Sequence, residues 1–194
     1  MFGQHDTLLD LLARRSAKRG EFTLSSGKRS NLYIDARLTT MSPDGLALIG
    51  PLALGAIRGA KWDVDSAGGL TLGADPIAYA IAFASALPGA GPLVRAFTVR
   101  KEAKTHGTGK LIEGPYHEGD HVVIVEDVIT TGGSAQRAIE AVRGAGGVIA
   151  GVLALVDREE GGREAIEAAG LPVLALVRRR DIDARTGKGE PPRT

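Results

Sequence analysis

The fold is decided by the stretch Val122-Val123-Ile124-Val125-Glu126-Asp127-Val128-Ile129-Thr130-Thr131-Gly132-Gly133-Ser134. Its first four residues are apolar and β-branched, which is typical of a strand that is covered on both faces. Two adjacent carboxylates follow, and then a short turn of hydroxyl and glycine residues that leads into a helix. The stretch therefore predicts a buried strand whose carboxyl end carries polar groups.

The turn and the carboxylates suit different parts of one ligand. Free backbone N–H groups at a helix N-terminus favour a phosphate. Glu126 and Asp127 would repel that phosphate, but they can bind the hydroxyls of a ribose beside it, or a metal–ligand complex. A phosphate next to a sugar diol describes a ribose 5-phosphate. An ordinary βα connection with a well-capped helix is the simpler interpretation, and the spacing of a Walker A loop is absent.

Composition predicts one soluble domain. The chain has 194 residues, 43% of them apolar, a formal net charge of +1 and no cysteine. No apolar run approaches the roughly 18 residues of a membrane span, and the first residues lack a signal-peptide pattern. Disulfides and thiolate chemistry are excluded, and the near-neutral charge argues against bulk nucleic-acid binding. We expect a cytoplasmic protein with one domain over residues 1–194, made of a small N-terminal hood over about 1–40 and a core over about 41–180.

Helical and strand patterns alternate along the chain. Helices are predicted from a cap at Asp6 to Gly20, and then over residues 43–57, 76–86, 134–143 and 163–169. Strands are predicted over residues 22–24, 32–35, 64–67, 93–99, 121–125, 148–156 and 173–177. Residues 100–116 are expected to form a long exposed loop, and the tail after Arg180 is expected to be loosely ordered. The alternation implies an α/β fold with a mostly parallel sheet covered by helices on both faces, and such sheets bind ligands at the carboxyl ends of their strands.

The stretch 122–134 resembles the diphosphate-sugar binding signature of the type I phosphoribosyltransferases. The resemblance implies that fold, and it implies that Glu126 and Asp127 contact the ribose hydroxyls of 5-phosphoribosyl 1-diphosphate. It also implies that the turn cradles the 5-phosphate. The remaining residues expected to bind this substrate here are Val128, Ile129, Thr130, Thr131, Gly132, Gly133 and Ser134. The signature identifies the superfamily, so the base has to be inferred from other segments.

A second motif is the run Phe97-Thr98-Val99-Arg100-Lys101-Glu102-Ala103-Lys104-Thr105-His106-Gly107. A basic run is often a solvated surface, but cations that close over a leaving diphosphate would stabilise its charge. The run resembles the catalytic loop of orotate phosphoribosyltransferases, Arg-Lys-Glu-x-Lys-x-His-Gly. This implies that Arg100, Lys101, Lys104 and His106 bind the diphosphate. Lys104 would be the main catalytic cation, and Arg100, His106 and Asp127 would be further catalytic residues. In that family the loop enters the neighbouring subunit's site, which implies a homodimer with shared active sites.

Two further segments bear on the base. Residues 21–35 resemble the N-terminal hood of the same family, and residues 156–161 resemble the segment whose arginine meets the carboxylate of orotate. The resemblance assigns orotate binding to Lys28, Tyr33, Thr130 and Arg158. Without it, the first segment is a plain hairpin, and a strand-end arginine is more often a surface ion-pair partner. Some members carry a lysine where this chain has Gly73, so backbone N–H groups of loop 72–75 would bind the diphosphate here.

The activity implied by the resemblance is the Mg²⁺-dependent transfer of ribose 5-phosphate from 5-phosphoribosyl 1-diphosphate to N1 of orotate. The products are orotidine 5′-monophosphate and diphosphate, on the route to UMP. Substrate and water are expected to hold most of the metal, with no certain protein ligand. One rival is a uracil or purine phosphoribosyltransferase, which would need neither Arg158 nor the basic loop. A second rival is a nucleotide-sensing, RNA-binding regulator, which would call for a basic face rich in aromatics. Aromatics make up only 4% of the chain, which disfavours the regulator.

Overall fold

The computed structural model describes residues 2–23, 29–102 and 111–187. Its helices are α1 (Phe2–Leu11), α2 (Arg37–Thr40), α3 (Pro43–Gly59), α4 (Asp75–Ser85), α5 (Gly133–Gly144), α6 (Gly162–Ala168) and α7 (Arg179–Thr186). Its strands are β1 (Ala17–Thr23), β2 (Arg29–Ile34), β3 (Ser66–Leu70), β4 (Arg95–Val99), β5 (Ile112–Glu113), β6 (His121–Ile129), β7 (Val148–Asp157) and β8 (Val173–Arg178). A π-helical segment, Leu12–Ser16, continues α1. Within these ranges, no helix combines the length and apolar character needed to cross a membrane.

Six strands form one sheet in the order β5-β4-β3-β6-β7-β8. Five of them run parallel, and β5 pairs antiparallel with β4 at the edge. β1 and β2 form a separate antiparallel pair. The prediction of an α/β fold with a mostly parallel sheet is confirmed, and β6 lies near the centre of the sheet.

The first half of β6 is buried on both sides of the sheet, as its sequence predicts. Val123 and Val125 belong to the apolar cluster built on α1, α3 and α4. Val122 and Ile124 belong to the opposite cluster, built on α5 and α6. Successive side chains of a strand point to opposite faces, so this one segment holds both helix layers against the sheet. Burial of each such side chain contributes about 1.5–3 kcal/mol relative to leaving it exposed.

β6 extends to Ile129, beyond the predicted end at Val125. Glu126 pairs with Ala154 of β7, and Ile129 pairs with Asp157. The strand continues because Ile129 is buried in the α5 cluster, so apolar burial resumes after the acidic pair. The two carboxylates are therefore neighbours within a strand rather than members of a loop. Because adjacent side chains of a strand point to opposite faces of the sheet, the two carboxylates have different surroundings.

β3 runs from Ser66 to Leu70 instead of over the predicted residues 64–67, because the glycines in its second half argue against a strand. Gly68 and Gly69 normally weaken a strand. Here a Cβ at Gly68 would collide with the backbone of Phe97, and one at Gly69 would collide with the backbone of Val125. The two glycines thus permit the close approach of β4 and β6, and β3 ends only at Leu70.

Three predictions at the ends of the chain are wrong. α1 begins at Phe2, so Asp6 lies inside the helix, where its carboxylate binds Arg185 at 2.7 Å. Gly20 lies within β1 rather than at a helix end. The tail expected to be loose forms α7 over its first part, and its Arg185 also binds Asp10 at 2.6 Å. Contacts with α1 order α7, and the local sequence of α7 contains no sign of them.

The long loop predicted over residues 100–116 is described only in part. Ile112 and Glu113 form β5, which pairs with Val99 and Thr98. This short edge strand is a correction to the prediction of a loop without regular structure. Residues 103–110 lie outside the described part of the chain.

Candidate functional site

Three segments meet at the carboxyl edge of the sheet, after β3, β6 and β7. The N–H of Arg158 donates to the carbonyl of Ile129 at 2.9 Å, and the N–H of Gly162 donates to the carbonyl of Thr130 at 2.9 Å. From the other side, Gly73 lies against Asp127, because a Cβ at Gly73 would sit 2.5 Å from its Cγ. Segments that are distant in the sequence therefore surround the acidic pair.

The turn after β6 has the geometry of an anion site. Gly132 adopts a left-handed φ of 84° at the N-cap of α5, a conformation that favours glycine. The first N–H groups of a helix have no partner within it and attract negative charge. A cleft of about 310 Å³ opens here. It is lined by Glu126, Val128, Ile129, Thr130, Thr131, Gly132, Gly133, Ser134 and Arg137. The cleft thus contains all of the predicted phosphate turn.

Glu126 is the more buried member of the acidic pair, with 7% of its surface exposed. Burial raises the pKa of its carboxyl well above the ordinary value, the charge of Asp127 raises it further, and Arg137 opposes the shift. Within the described ranges, Glu126 Oε2 has no hydrogen-bond partner. Asp127 is half-buried, and its Oδ1 accepts a hydrogen bond from the N–H of Val128 at 2.9 Å. Glu126 thus offers a buried oxygen that a ligand hydroxyl can satisfy.

A second cleft of about 310 Å³ lies on the Asp127 side. It brings together Tyr33 from the end of β2, Lys101 after β4, and Asp127. All three are predicted site residues, each from a separate motif. The cleft also contains an ion pair that the sequence does not predict, in which Arg37 Nε lies 2.8 Å from Asp35 Oδ1.

Arg137 is a second cation of the site that is absent from the predicted site residues. It lines both clefts and opposes the pKa shift of Glu126. One signal for it was present in the sequence, since Arg137 lies three residues after Ser134 and so on the same face of α5. Arg37 gave no such signal, because its place depends on how the chain turns after β2.

A carboxylate supports the loop between β3 and α4. Asp75 Oδ2 accepts a hydrogen bond from Thr71 Oγ1 at 2.7 Å, and Asp75 Oδ1 accepts one from Thr98 Oγ1 at 2.8 Å. Asp75 therefore joins the ends of β3 and β4 and holds the loop that carries Gly73. Asp75 belongs to the predicted loop 72–75, but the sequence indicates no role for its side chain.

Arg158 is buried, with 2% of its side chain exposed, and it is no surface ion-pair partner. Its Nη2 donates to Glu160 Oε1 at 2.7 Å. Arg100 is more open: its Nη1 lies 3.6 Å from Glu113 Oε1, and with Lys101 it lines a larger cleft of about 880 Å³. Three predicted site residues, Lys28, Lys104 and His106, lie outside the described residues.

The site has oxygen donors but no dense cluster of metal ligands. Over residues 2–23, 29–102 and 111–187, no three His, Asp or Glu side chains are grouped so that they could hold a metal ion. Glu126 and Asp127 are carboxylates, the type of donor that Mg²⁺ accepts. The buried, unsatisfied Glu126 Oε2 fits a hydroxyl or a metal-bound water.

Comparison with known proteins gives one consistent result. Residues 69–169 match the phosphoribosyl transferase domain family. An orotate phosphoribosyltransferase of Aquifex aeolicus is 46% identical over 178 residues, covering 90% of this chain and 95% of the relative. One of Rhodopseudomonas palustris is 48% identical over 175 residues, covering 88% and 91%. The crystal structure of Mycobacterium tuberculosis orotate phosphoribosyltransferase in complex with 5-phospho-α-D-ribosyl 1-diphosphate is 41% identical, with a TM-score of 0.77, and covers 92% of this chain and 98% of that one.

Proposed function

The chain belongs to the phosphoribosyl transferase domain family, and within it to the orotate phosphoribosyltransferases, and we propose that it makes orotidine 5′-monophosphate. In the reaction, the bond between C1 of the ribose and the diphosphate oxygen breaks, and N1 of orotate forms the new bond to C1. The diphosphate leaves with the electron pair. Positive charge develops on the sugar while the bond breaks, so the protein's task is to position the reactants and to stabilise charge.

One observation carries the proposal: an unsatisfied buried carboxylate oxygen lies beside an anion-binding turn. The cleft that contains Glu126 also contains the N-terminus of α5 and the turn from Thr130 to Gly133. A 5-phosphate at the turn would place ribose hydroxyls towards the acidic pair. Glu126 and Asp127 would accept hydrogen bonds from these hydroxyls and offset the positive charge on the sugar ring.

The leaving diphosphate would be bound by cations on the opposite side of the sugar. Lys101 shares a cleft with Asp127, and Arg100 follows β4 directly, which supports their assignment to this group. Lys104 and His106 keep the catalytic roles inferred from the loop motif. Backbone N–H groups of loop 72–75 are proposed as further donors, since Gly73 has no side chain to supply a charge.

Mg²⁺ is proposed as the cofactor, held mainly by oxygens of the substrate and of water. When bound, it would neutralise part of the diphosphate charge. Glu126 and Asp127 would hold the metal-bound diol through hydrogen bonds rather than by direct ligation. Mg²⁺ usually keeps several waters and binds substrate phosphates, which is compatible with carboxylates that accept hydrogen bonds instead of ligating it.

Orotate is proposed to bind between the β7 end and the β1–β2 pair. Arg158 would take its carboxylate, because a planar guanidinium binds a carboxylate through two parallel hydrogen bonds. Thr130, which is joined to this region through Gly162, would contact the base. Tyr33 and Lys28 would cover it from the hood.

A homodimer with shared sites is also proposed, with a second copy of this chain on α4. The outer face of this helix exposes Tyr79 and Phe83, which are 55% and 70% accessible and lie one turn apart. Phe83→Glu would place a charge in the contact. We expect it to shift the protein from dimer to monomer in sedimentation velocity and to reduce activity. An unchanged dimer would place the contact elsewhere.

Three predictions about the chain as a whole are also proposed. They are a single domain over residues 1–194 with a hood over about 1–40 and a core over about 41–180, a cytoplasmic location, and no nucleic-acid partner. The formal net charge of +1 supports the last of these.

The proposed activity is tested by a panel of bases. The purified protein is given 5-phosphoribosyl 1-diphosphate and Mg²⁺ with orotate, uracil, hypoxanthine or adenine, and consumption of each base is followed. We expect orotate to be consumed and the other bases to be spared. Consumption of another base in preference to orotate would refute the proposal. Lys104→Ala serves as the catalytic control, since we expect it to abolish turnover without lowering the melting temperature.

A further inference from the structure

Glu160 binds two arginines with a single oxygen atom. Its Oε1 accepts a hydrogen bond from Arg158 Nη2 at 2.7 Å, and the same atom lies 3.5 Å from Arg179 Nη1. The side chains of Arg158 and Glu160 are only 2% and 16% exposed. A buried guanidinium needs a fixed partner for its charge, and Glu160 supplies one.

Arg179 connects Glu160 to the two-stranded β1–β2 sheet. It is the first residue of α7, and its Nη2 donates to Asn31 Oδ1 at 2.7 Å. Asn31 lies on β2 two residues before Tyr33, so both side chains are on the same face of the strand. Tyr33 lines the cleft that contains Asp127. A continuous polar chain, Arg158–Glu160–Arg179–Asn31, therefore joins the end of β7 to the strand that forms one wall of the site.

We propose that Glu160 is a positioning residue, which fixes the guanidinium of Arg158 and, through Arg179, couples it to β2. The proposal rests on the proposed function, in which Arg158 binds the carboxylate of orotate. Bidentate binding of a carboxylate requires a defined plane for the guanidinium. The 2.7 Å hydrogen bond to Glu160 sets the direction of one amino group, and this limits rotation of the rest. The contact of Arg179 with Asn31 would hold β2 in a fixed position relative to Arg158.

The neighbouring pair Glu159–Arg180 offers a matched control. Arg180 Nε lies 3.5 Å from Glu159 Oε1, and the Arg180 side chain is 61% exposed. The pair is adjacent to Glu160 and Arg179 in the sequence and has the same charges. The backbone N–H of Arg180 also donates to Glu159 Oε2 at 3.1 Å, so Glu159 and Arg180 contact each other twice at the start of α7. A general loss of charge at the surface would affect both pairs alike.

The test compares Michaelis constants for the two substrates. We expect Glu160→Ala to raise KM for orotate about tenfold or more, since it removes a hydrogen bond to a charged group, and to leave KM for 5-phosphoribosyl 1-diphosphate within about twofold. Glu160→Gln keeps an acceptor oxygen at the same place and should restore most of the orotate affinity. Arg179→Met, which leaves the Arg158–Glu160 contact intact, should raise KM for orotate to a smaller extent. Arg180→Met should leave both constants unchanged.

Coupling to β2 is measured with a double-mutant cycle. Asn31→Ala and Arg179→Met should give a combined effect on KM for orotate that is smaller than the product of the single effects, because both remove one contact. Multiplicative effects would overturn the coupling. Equal increases in KM for both substrates, or an unchanged KM for orotate in Glu160→Ala, would overturn the positioning role. If the wild-type protein does not consume orotate at all, the proposed function fails instead, so the two failures are distinguishable.

Discussion

A single methyl group at Gly73 is expected to disturb the site without disturbing the fold. A Cβ built on this residue lies 2.5 Å from Cγ and from Oδ1 of Asp127, whereas ordinary contacts of a Cβ begin at 3.4 Å. In Gly73→Ala the Asp127 carboxylate must therefore retreat by about 0.9 Å. It can do so because it is the end of a side chain and not part of the backbone. The substitution is therefore expected to move the Asp127 carboxylate and to leave the backbone in place.

A displacement of this size has a predictable cost in rate. Misplacement of a catalytic group by about 1 Å can lower the rate by about 100-fold. We expect kcat/KM for 5-phosphoribosyl 1-diphosphate to fall by about 10- to 100-fold, and the melting temperature to stay within about 2 °C of the wild-type value. Initial rates at saturating orotate measure the first quantity, and differential scanning calorimetry measures the second.

Two variants make the interpretation specific. Gly59→Ala is the control, since a Cβ at the end of α3 meets nothing within 4 Å, and both readouts should stay near wild type. Asp127→Asn combined with Gly73→Ala should be no slower than Asp127→Asn by itself, because the methyl group acts through that carboxylate. A Gly73→Ala enzyme with wild-type kcat/KM, or with a loss that is fully additive to Asp127→Asn, would refute the reasoning.

Three further predictions concern stability. Burial raises the pKa of Glu126 in the folded state above its ordinary value of 4.5, so ionisation of this carboxyl opposes folding as pH rises through and above 4.5. Glu126→Gln should therefore stabilise the protein at pH 8 more than at pH 4 in urea titrations, while the use of 5-phosphoribosyl 1-diphosphate falls. An equal gain at both pH values would contradict this. Burial acts to raise the pKa of Asp120, but hydrogen bonds from the N–H of His117 and from Arg95 outweigh burial and lower this pKa overall. The stability that Asp120 contributes is therefore present at neutral pH and is lost as pH falls below 3.8. Asp120→Asn should cost about 1–3 kcal/mol at pH 7 and flatten the acid limb; an unchanged acid limb would count against the assignment. A Cβ at Gly162 would lie 2.5 Å from the carbonyl oxygen of Thr130. Gly162→Ala should therefore lower the free energy of unfolding by about 1–3 kcal/mol and the melting temperature by about 3–10 °C. Gly144→Ala, which has open space around the new methyl group, should leave both unchanged. A melting temperature for Gly162→Ala equal to that of Gly144→Ala would show that the turn can yield.

The parts of the site that could be predicted from sequence are those carried by local patterns. The apolar run, the acidic pair and the glycine turn occupy thirteen consecutive residues, so their order along the chain fixes their order in space. The alternation of elements then placed them at the carboxyl edge of the sheet. The family resemblance assigns Tyr33 to the base and Lys101 and Asp127 to the sugar diphosphate, and all three line one cleft.

The parts that could not be predicted depend on contacts between distant elements. The strand at Gly68 and Gly69 is stabilised by the close approach of two neighbours, which a propensity for isolated segments opposes. α7 is anchored by Ile182, which is buried in the same cluster as Leu8 of α1, and exposed ion pairs from Arg185 to α1 add to this contact across almost the whole length of the chain. The burial of Arg158 likewise could not be predicted from sequence, since it accompanies a contact with Glu160, which in turn contacts Arg179 of α7.

The order of strands in the sheet has a consequence for synthesis of the protein. β3 lies between β4 and β6, and its Ser66 pairs with Val122, which leaves the ribosome much later. Until β6 emerges, one edge of β3, a glycine-rich strand that is fully buried in the folded protein, remains unpaired, and such edges recruit other strands. The pairing of β3 with β6, which places the acidic pair beside Gly73, thus ends a period of vulnerability to aggregation during translation.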